Sequence, residues 1–140
     1  MSLLRPLGNT PIAVTPVAMG CWPISGVTSV DVTEEASLAT LEAALEAGIN
    51  FFDTAYCYGY DGESERLVGR VMRPHRERVV IATKGGIHWG ADHKQVRDAR
   101  PKRCCGNATR ASRGSGPTTS ISTTCMVPIR RRRSPGPPRL

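Results

Sequence analysis

The sequence contains no acidic residue after Asp98, although twelve aspartates and glutamates lie up to that point. Residues 1–98 carry nine lysines and arginines and a net charge of −3, whereas residues 99–140 add ten basic residues. The overall charge of +7 therefore represents neither part. On its own it would suggest an anionic partner, but the mildly acidic first part gives no indication of a surface that binds nucleic acid.

Long apolar runs and secretion signals are also missing. No run approaches the roughly 18 apolar residues of a membrane span, and the N-terminus lacks the charged, apolar and small-residue segments of a signal peptide. The sequence therefore predicts a cytoplasmic protein without a membrane partner. The cysteines are odd in number and show no C-x-x-C spacing, so neither disulfides nor a zinc site is predicted. They are Cys21, Cys57, Cys104, Cys105 and Cys125.

The segment 103–140 has no helical or strand periodicity, and residues 99–140 contain no aromatic residue. Its arginine, serine, threonine, glycine and proline content predicts a disordered basic tail. One hypothesis is therefore a non-catalytic interaction protein whose tail binds nucleic acid or an anionic surface. Without aromatic side chains for base stacking, only salt-sensitive backbone contacts are available, and no specific nucleic-acid partner is predicted.

Two short apolar segments each stop on a charged residue. Phe51 and Phe52 lead into Asp53, and a β-branched run from residue 79 leads into Lys84. Such runs predict buried strands, and parallel neighbours would present Asp53 and Lys84 at the same end of a sheet. Tyr58 lies on the loop between them. A lysine beside a tyrosine hydroxyl favours its ionisation, so the three side chains form a plausible proton-donating set.

The other patterns of the first part are those of an α/β protein. The sequence predicts a hairpin over residues 3–14, a strand over 17–22, and helices over 31–50 and 63–72. In the first helix, Asp31 or Thr33 can cap the N-terminus and Gly48 can end it. The charged residues 73–78 are interpreted as a solvated turn.

Three motifs occur in an order that resembles the aldo-keto reductases. They are Asp53-Thr54-Ala55-x-x-Tyr58, Glu63-Ser64-Glu65-x-x-Val68-Gly69 and Ile81-Ala82-Thr83-Lys84. The resemblance covers about residues 5–102 and implies a (β/α)8 TIM barrel, with NADPH or occasionally NADH as hydride donor and an aldehyde or ketone as substrate. Such a barrel needs about 250 residues. Residues 1–102 are therefore predicted to be its N-terminal part, with about three βα units.

The resemblance also assigns roles. Tyr58 would be the general acid, with Lys84 and Asp53 tuning it. The backbone near Gly20 and Cys21, together with Asp53, would contact the cofactor.

Trp22 would lie near the substrate. Without the resemblance, close packing at Gly20 and a half-buried Trp22 are the simpler interpretations.

The family's fourth catalytic residue, a histidine after the next strand, has no counterpart here. His75, His88 and His93 all come too early. His75 and His88 are interpreted as surface residues without a second ligand at metal-binding spacing. The chain is therefore expected to be an inactive fragment. A regulatory subunit that binds cofactor without turnover is an alternative, and oligomeric state and substrate identity stay open.

The tail can also be interpreted as a displaced reading frame. Back-translation of residues 104–129, read one nucleotide earlier, forces a leucine at the paired cysteines and a glycine at Met126-Val127. Elsewhere it permits an amphipathic helix, a Gly-Thr terminus and a strand that ends in histidine across Cys125 and Met126. We therefore expect residues 103–140 to be an out-of-frame tail produced by a frameshift.

Overall fold

The computed structural model describes residues 4–27, 29–98 and 100, and it describes 121–125 as a strand backbone. Short 3-10 helices cover Pro23–Ser25 and Arg73–Arg78. The remaining elements are, in chain order, β1 (Arg5–Pro6), β2 (Ala13–Val14), β3 (Met19–Gly20), α1 (Glu34–Glu46), β4 (Phe51–Asp53), α2 (Glu63–Met72), β5 (Val80–Gly85), β6 (Ile87–Trp89), β7 (Gln95–Arg97) and β8 (Ile121–Cys125).

A parallel sheet with the strand order β3-β4-β5-β8 forms the centre of the fold. Gly20 pairs with Asp53, and Asp53 in turn pairs with Ala82, two residues before Lys84. The C-terminal ends of β3, β4 and β5 therefore meet at one rim. This confirms that Asp53 and Lys84 leave parallel neighbours at the same end of a sheet.

The helix α1 lies within the predicted segment 31–50 but is shorter, and its ends lie next to Thr33 and Gly48, two residues that the sequence predicts to limit it. The Thr33 side chain accepts a hydrogen bond from the Ala36 amide at 3.2 Å, so Thr33 is the N-cap and Asp31 is not. Glu34 and Glu35 occupy the first turn, where the helix dipole favours negative charge. Gly48 follows the helix at φ +83°, a conformation that favours glycine.

The hydrophobic core lies between the sheet and the two helices. Leu41 of α1, Phe52 of β4 and Met72 of α2 are fully buried there, and Val68 is 1% exposed. Leu41 and Val68 have the helical spacing expected of an inward position. The helices thus cover the outer face of the sheet and leave the rim accessible.

Asn50 fastens the β1–β2 hairpin to the start of β4. Its Oδ1 accepts a hydrogen bond from the Thr15 amide at 2.7 Å, and its Nδ2 donates one to the Ala13 carbonyl at 3.0 Å. The predicted N-terminal hairpin is present, with antiparallel pairing of Arg5 with Val14. It is held at the end of the sheet opposite the rim.

Three features differ from the sequence predictions. The antiparallel β6–β7 hairpin was not predicted, because three-residue strands are too short to show alternation. Arg76 lies buried within the segment interpreted as a solvated turn, and its guanidinium donates to the Val79 carbonyl at 3.1 Å.

The third difference lies in the tail. Disorder was predicted for residues 103–140, but Ile121–Cys125 forms β8, parallel to β5. The edge of β5 has backbone groups that can pair with another strand, and the side-chain periodicity of the tail does not predict this pairing. The remainder of that segment lies outside the described residues. Within the ranges that the structure covers, no helix is long and apolar enough to cross a membrane.

We expect Asn50→Ala to loosen the hairpin without unfolding the core. Each lost hydrogen bond contributes roughly 0.5–1.5 kcal/mol, so the Thr15 amide should exchange its hydrogen about tenfold faster. Hydrogen exchange followed by mass spectrometry measures this. Asn9→Ala, at an exposed turn of the same hairpin, is the control and should leave exchange unchanged; equal effects of both substitutions would contradict the anchoring role.

Candidate active site

The Lys84 ammonium joins the three predicted catalytic side chains. Its Nζ forms an ion pair and hydrogen bond with the Asp53 carboxylate, and it donates to the Tyr58 hydroxyl at 3.0 Å. It also contacts the Thr54 carbonyl at 3.3 Å and lies 4.8 Å from the Tyr58 ring centroid. Asp53, Tyr58 and Lys84 therefore form one connected cluster.

Local sequence explains how Tyr58 reaches the cluster. The chain turns immediately after β4, and the Tyr58 amide donates to the Ala55 carbonyl at 3.0 Å. Gly59 follows at φ +109°, and a Cβ at that position would collide with the Glu63 side chain. The loop therefore requires glycine at position 59 to fold back over the rim.

The electrostatic environment keeps Lys84 charged. Burial alone would lower its pKa, but its hydrogen bonds to Asp53 and Tyr58 and the charge of Asp53 outweigh burial and raise the pKa above the ordinary value of 10.5. Burial has the opposite consequence for the nearby thiols. It raises the pKa of Cys21 to about 12 and also raises that of Cys57, so neither is a reactive thiolate near neutral pH.

The residues predicted to contact the cofactor lie around Asp53 in different ways. Gly20 pairs with Asp53, and a Cβ there would meet no atom within 4 Å, which leaves open space at the rim. Such space suits a flat ring, as a nicotinamide requires. Cys21 is fully buried, and its amide donates to the Asp53 carbonyl at 2.9 Å. Its thiol therefore lies beneath the rim, and the proposed cofactor contacts of Gly20, Cys21 and Asp53 stay predictions.

Trp22 lies beside the predicted general acid. Its ring makes an edge contact with Tyr58, with centroids 4.8 Å apart. The structure thus brings Trp22 to the cluster, and its contact with a substrate stays a prediction.

The sequence interpretation missed the contribution of the β6–β7 hairpin. The Trp89 indole donates a hydrogen bond to the Cys57 carbonyl at 2.9 Å, and its ring makes an edge contact with Tyr60 at 5.2 Å. Tyr60 in turn contacts His93, with ring centroids 4.3 Å apart. A tryptophan soon after the rim lysine is the one sequence signal that could have indicated this second support of the Tyr58 loop.

The model of the aldo/keto reductase family matches residues 16–113. The chain belongs to the aldo-keto reductase family. The match extends beyond residue 102, so the predicted domain boundary there stays a prediction.

Individual relatives agree with the family assignment. The chain is 44% identical over 93 residues to the 6-dehydroglucose reductase of Novosphingobium aromaticivorans, covering 59% of this chain and 29% of that protein. It is 38% identical over 87 residues to the NADH-specific methylglyoxal reductase of Escherichia coli, covering 60% and 26% respectively. Among solved structures, the glycerol dehydrogenase of Gluconobacter oxydans superposes with a TM-score of 0.68 at 32% identity, covering 80% of this chain and 35% of that one.

The chain covers only part of the length of these relatives. The chain spans about 29% of the first of those curated relatives and about 26% of the second. The predicted fold class, the N-terminal part of a (β/α)8 barrel, is confirmed. The family to which the chain belongs is one of NAD(P)H-dependent oxidoreductases. The family histidine is still missing, because β8 ends at Cys125 and the last histidine of the sequence is His93.

We expect the contribution of Lys84 to stability to disappear at high pH. Because its pKa in the folded protein is above 10.5, the contribution is complete below the unfolded-state pKa and falls as pH rises through the folded-state value. Urea unfolding between pH 8 and pH 11 should show this decline, and Lys84→Met should remove that component. Lys94→Met, at an exposed lysine, should leave the decline intact; a decline unaffected by Lys84→Met would contradict the assignment.

Proposed function

We propose that Tyr58, Lys84 and Asp53 are the proton-delivery part of an enzyme that reduces an aldehyde or ketone to an alcohol. The observation that carries this proposal is the position of the Lys84 ammonium, which binds both Asp53 and the Tyr58 hydroxyl at one rim of a parallel sheet. Catalytic residues of (β/α)8 barrels occupy this rim. Family membership and the reductases among the relatives support the reaction class.

In this proposal the Tyr58 hydroxyl holds the proton that passes to the substrate oxygen. The adjacent Lys84 charge stabilises the phenolate that remains, and Asp53 keeps Lys84 charged and oriented. A reduced nicotinamide nucleotide, NADPH or alternatively NADH, supplies the hydride when bound. Gly20, Cys21 and Asp53 would form the part of its site that this chain contributes.

Trp22 would flank the carbonyl substrate, because it packs against the Tyr58 ring. The protein would act in the cytoplasm. The 140-residue chain alone would not turn over substrate, since it lacks the family histidine.

The frameshift hypothesis is part of the proposal. β8 lies where the displaced frame has its strand, and Cys125 pairs with Gly85, the residue after Lys84. A histidine encoded across Cys125 and Met126 would follow β8 at the rim, beside Lys84. This placement supports a gene whose downstream frame encodes the rest of the barrel.

The test is to compare the 140-residue chain with the product of a gene that carries a one-nucleotide insertion at codon 103. Oxidation of NADPH and NADH with methylglyoxal, followed at 340 nm, is expected only for the restored product. In that product Tyr58→Phe should reduce kcat by about 10²- to 10⁴-fold, the usual contribution of a general acid. Tyr60→Phe, which keeps the ring contacts with Trp89 and His93, is the matched control and should retain most activity.

Three results would overturn the proposal. An inactive frame-restored product would contradict the reductase assignment. Turnover by the 140-residue chain would show that the missing histidine is dispensable. An active restored product in which Tyr58→Phe is no worse than Tyr60→Phe would remove Tyr58 from the reaction.

A further inference from the structure

Ser64, in the first turn of α2, is fully buried next to the rim. Its position is unusual because its polar groups reach the ends of two strands and the Tyr58 loop. The backbone amide donates to the Tyr58 carbonyl at 3.0 Å, and the hydroxyl donates to the Cys21 carbonyl at 2.7 Å. The third contact is with the Thr54 hydroxyl at 2.8 Å.

The directions of these hydrogen bonds follow from the number of available hydrogens. A serine hydroxyl has one hydrogen, and that of Ser64 is directed to the Cys21 carbonyl. Thr54 must therefore donate to Ser64. The result is a buried relay from Thr54 through Ser64 to the backbone at the end of β3.

The relay continues to the catalytic cluster through the Thr54 backbone. The Thr54 amide donates to the Ala82 carbonyl at 2.8 Å, and its carbonyl accepts from Lys84 Nζ at 3.3 Å. Cys21, at the other end, donates its amide to the Asp53 carbonyl at 2.9 Å. Ser64 thus contacts the chain at Cys21, which pairs with Asp53, and at Thr54, whose carbonyl binds the Lys84 ammonium.

We propose that Ser64 is a positioning residue for proton delivery: its hydroxyl holds the Thr54 backbone where the Lys84 ammonium can bind Tyr58. This inference rests on the proposed function of the cluster. Ser64 itself touches none of the reacting groups with its side chain, and it acts through Thr54 and the Tyr58 carbonyl.

A purely structural role is the competing interpretation, and the chain contains a matched control for it. Ser37 in α1 is 2% exposed, and its hydroxyl hydrogen is shared between two acceptors, the Ile24 carbonyl at 3.0 Å and the Thr33 carbonyl at 2.9 Å. Loss of either hydroxyl leaves buried carbonyls with one partner fewer, and the resulting desolvation penalty is similar for the two sites. Only Ser64 connects to Lys84.

The experiment measures the reactivity of Lys84 in the 140-residue chain itself. Trace acetylation with acetic anhydride, read by mass spectrometry from pH 8 to pH 11, gives the reactivity of Lys84 relative to Lys94, whose side chain is 83% exposed. In the unsubstituted chain Lys84 should react more slowly, because its hydrogen bonds keep it protonated. Ser64→Ala should raise the ratio about threefold or more, equivalent to half a pKa unit or more, whereas Ser37→Ala should leave it unchanged.

Thr54→Val is a second variant that nearly preserves shape, and it should shift the ratio in the same direction as Ser64→Ala. Equal ratios for Ser64→Ala and Ser37→Ala would overturn the proposal, as would a Lys84 that already reacts as fast as Lys94 in the unsubstituted chain. Acetylation requires no turnover. An inactive frame-restored protein would therefore overturn the proposed function but not a Ser64-specific shift at Lys84.

Discussion

The arrangement of residues at the rim depends on one requirement, which is that the partly buried ammonium of Lys84 has hydrogen-bond and charge partners. Lys84 leaves water when β5 packs beside β4, and a charge in that position is costly unless it is paired and hydrogen-bonded. Asp53, Tyr58 and the Thr54 carbonyl provide the pairing. All three come from the end of β4 and the loop that follows it. The parallel register of β4 and β5 and the fold of the loop are therefore both required to bury Lys84 without leaving its charge unsatisfied.

The sequence predicts this cluster because two of its charged residues directly follow apolar strand segments. Runs of apolar residues that stop at Asp53 and Lys84 are visible without a structure, and Thr33 and Gly48 mark the limits of α1 through local backbone requirements. The role of Ser64 is not visible in the same way. Serine in the first turn of a helix is common, and only the three-dimensional neighbours of its hydroxyl distinguish it from Ser37. The β6–β7 hairpin is missed because its three-residue strands are too short to show alternation. The strand β8 is missed because it depends on backbone pairing with β5, which is distant along the chain.

The contrast between the two parts of the chain has a structural counterpart. In the acidic first part, α1 and α2 bury a continuous core against the sheet. The basic second part contributes β8 to the described fold through its backbone, at the edge of β5. The fourth strand position of the barrel is therefore filled, although the family histidine is absent from it. Family membership and the missing histidine are compatible because the residues proposed for proton delivery precede the change in composition, whereas the family histidine would follow it.

The cluster is also local along the chain, because Asp53 and Lys84 are separated by only 31 positions. Synthesis at about 5–20 residues per second would produce that interval in roughly 2–6 s. Asp53, Tyr58, Ser64 and Lys84 would thus all emerge from the ribosome before any residue of β8. A growing chain could therefore pair Lys84 with Asp53 early. The later strands would then be added to a rim in which this ion pair has already formed.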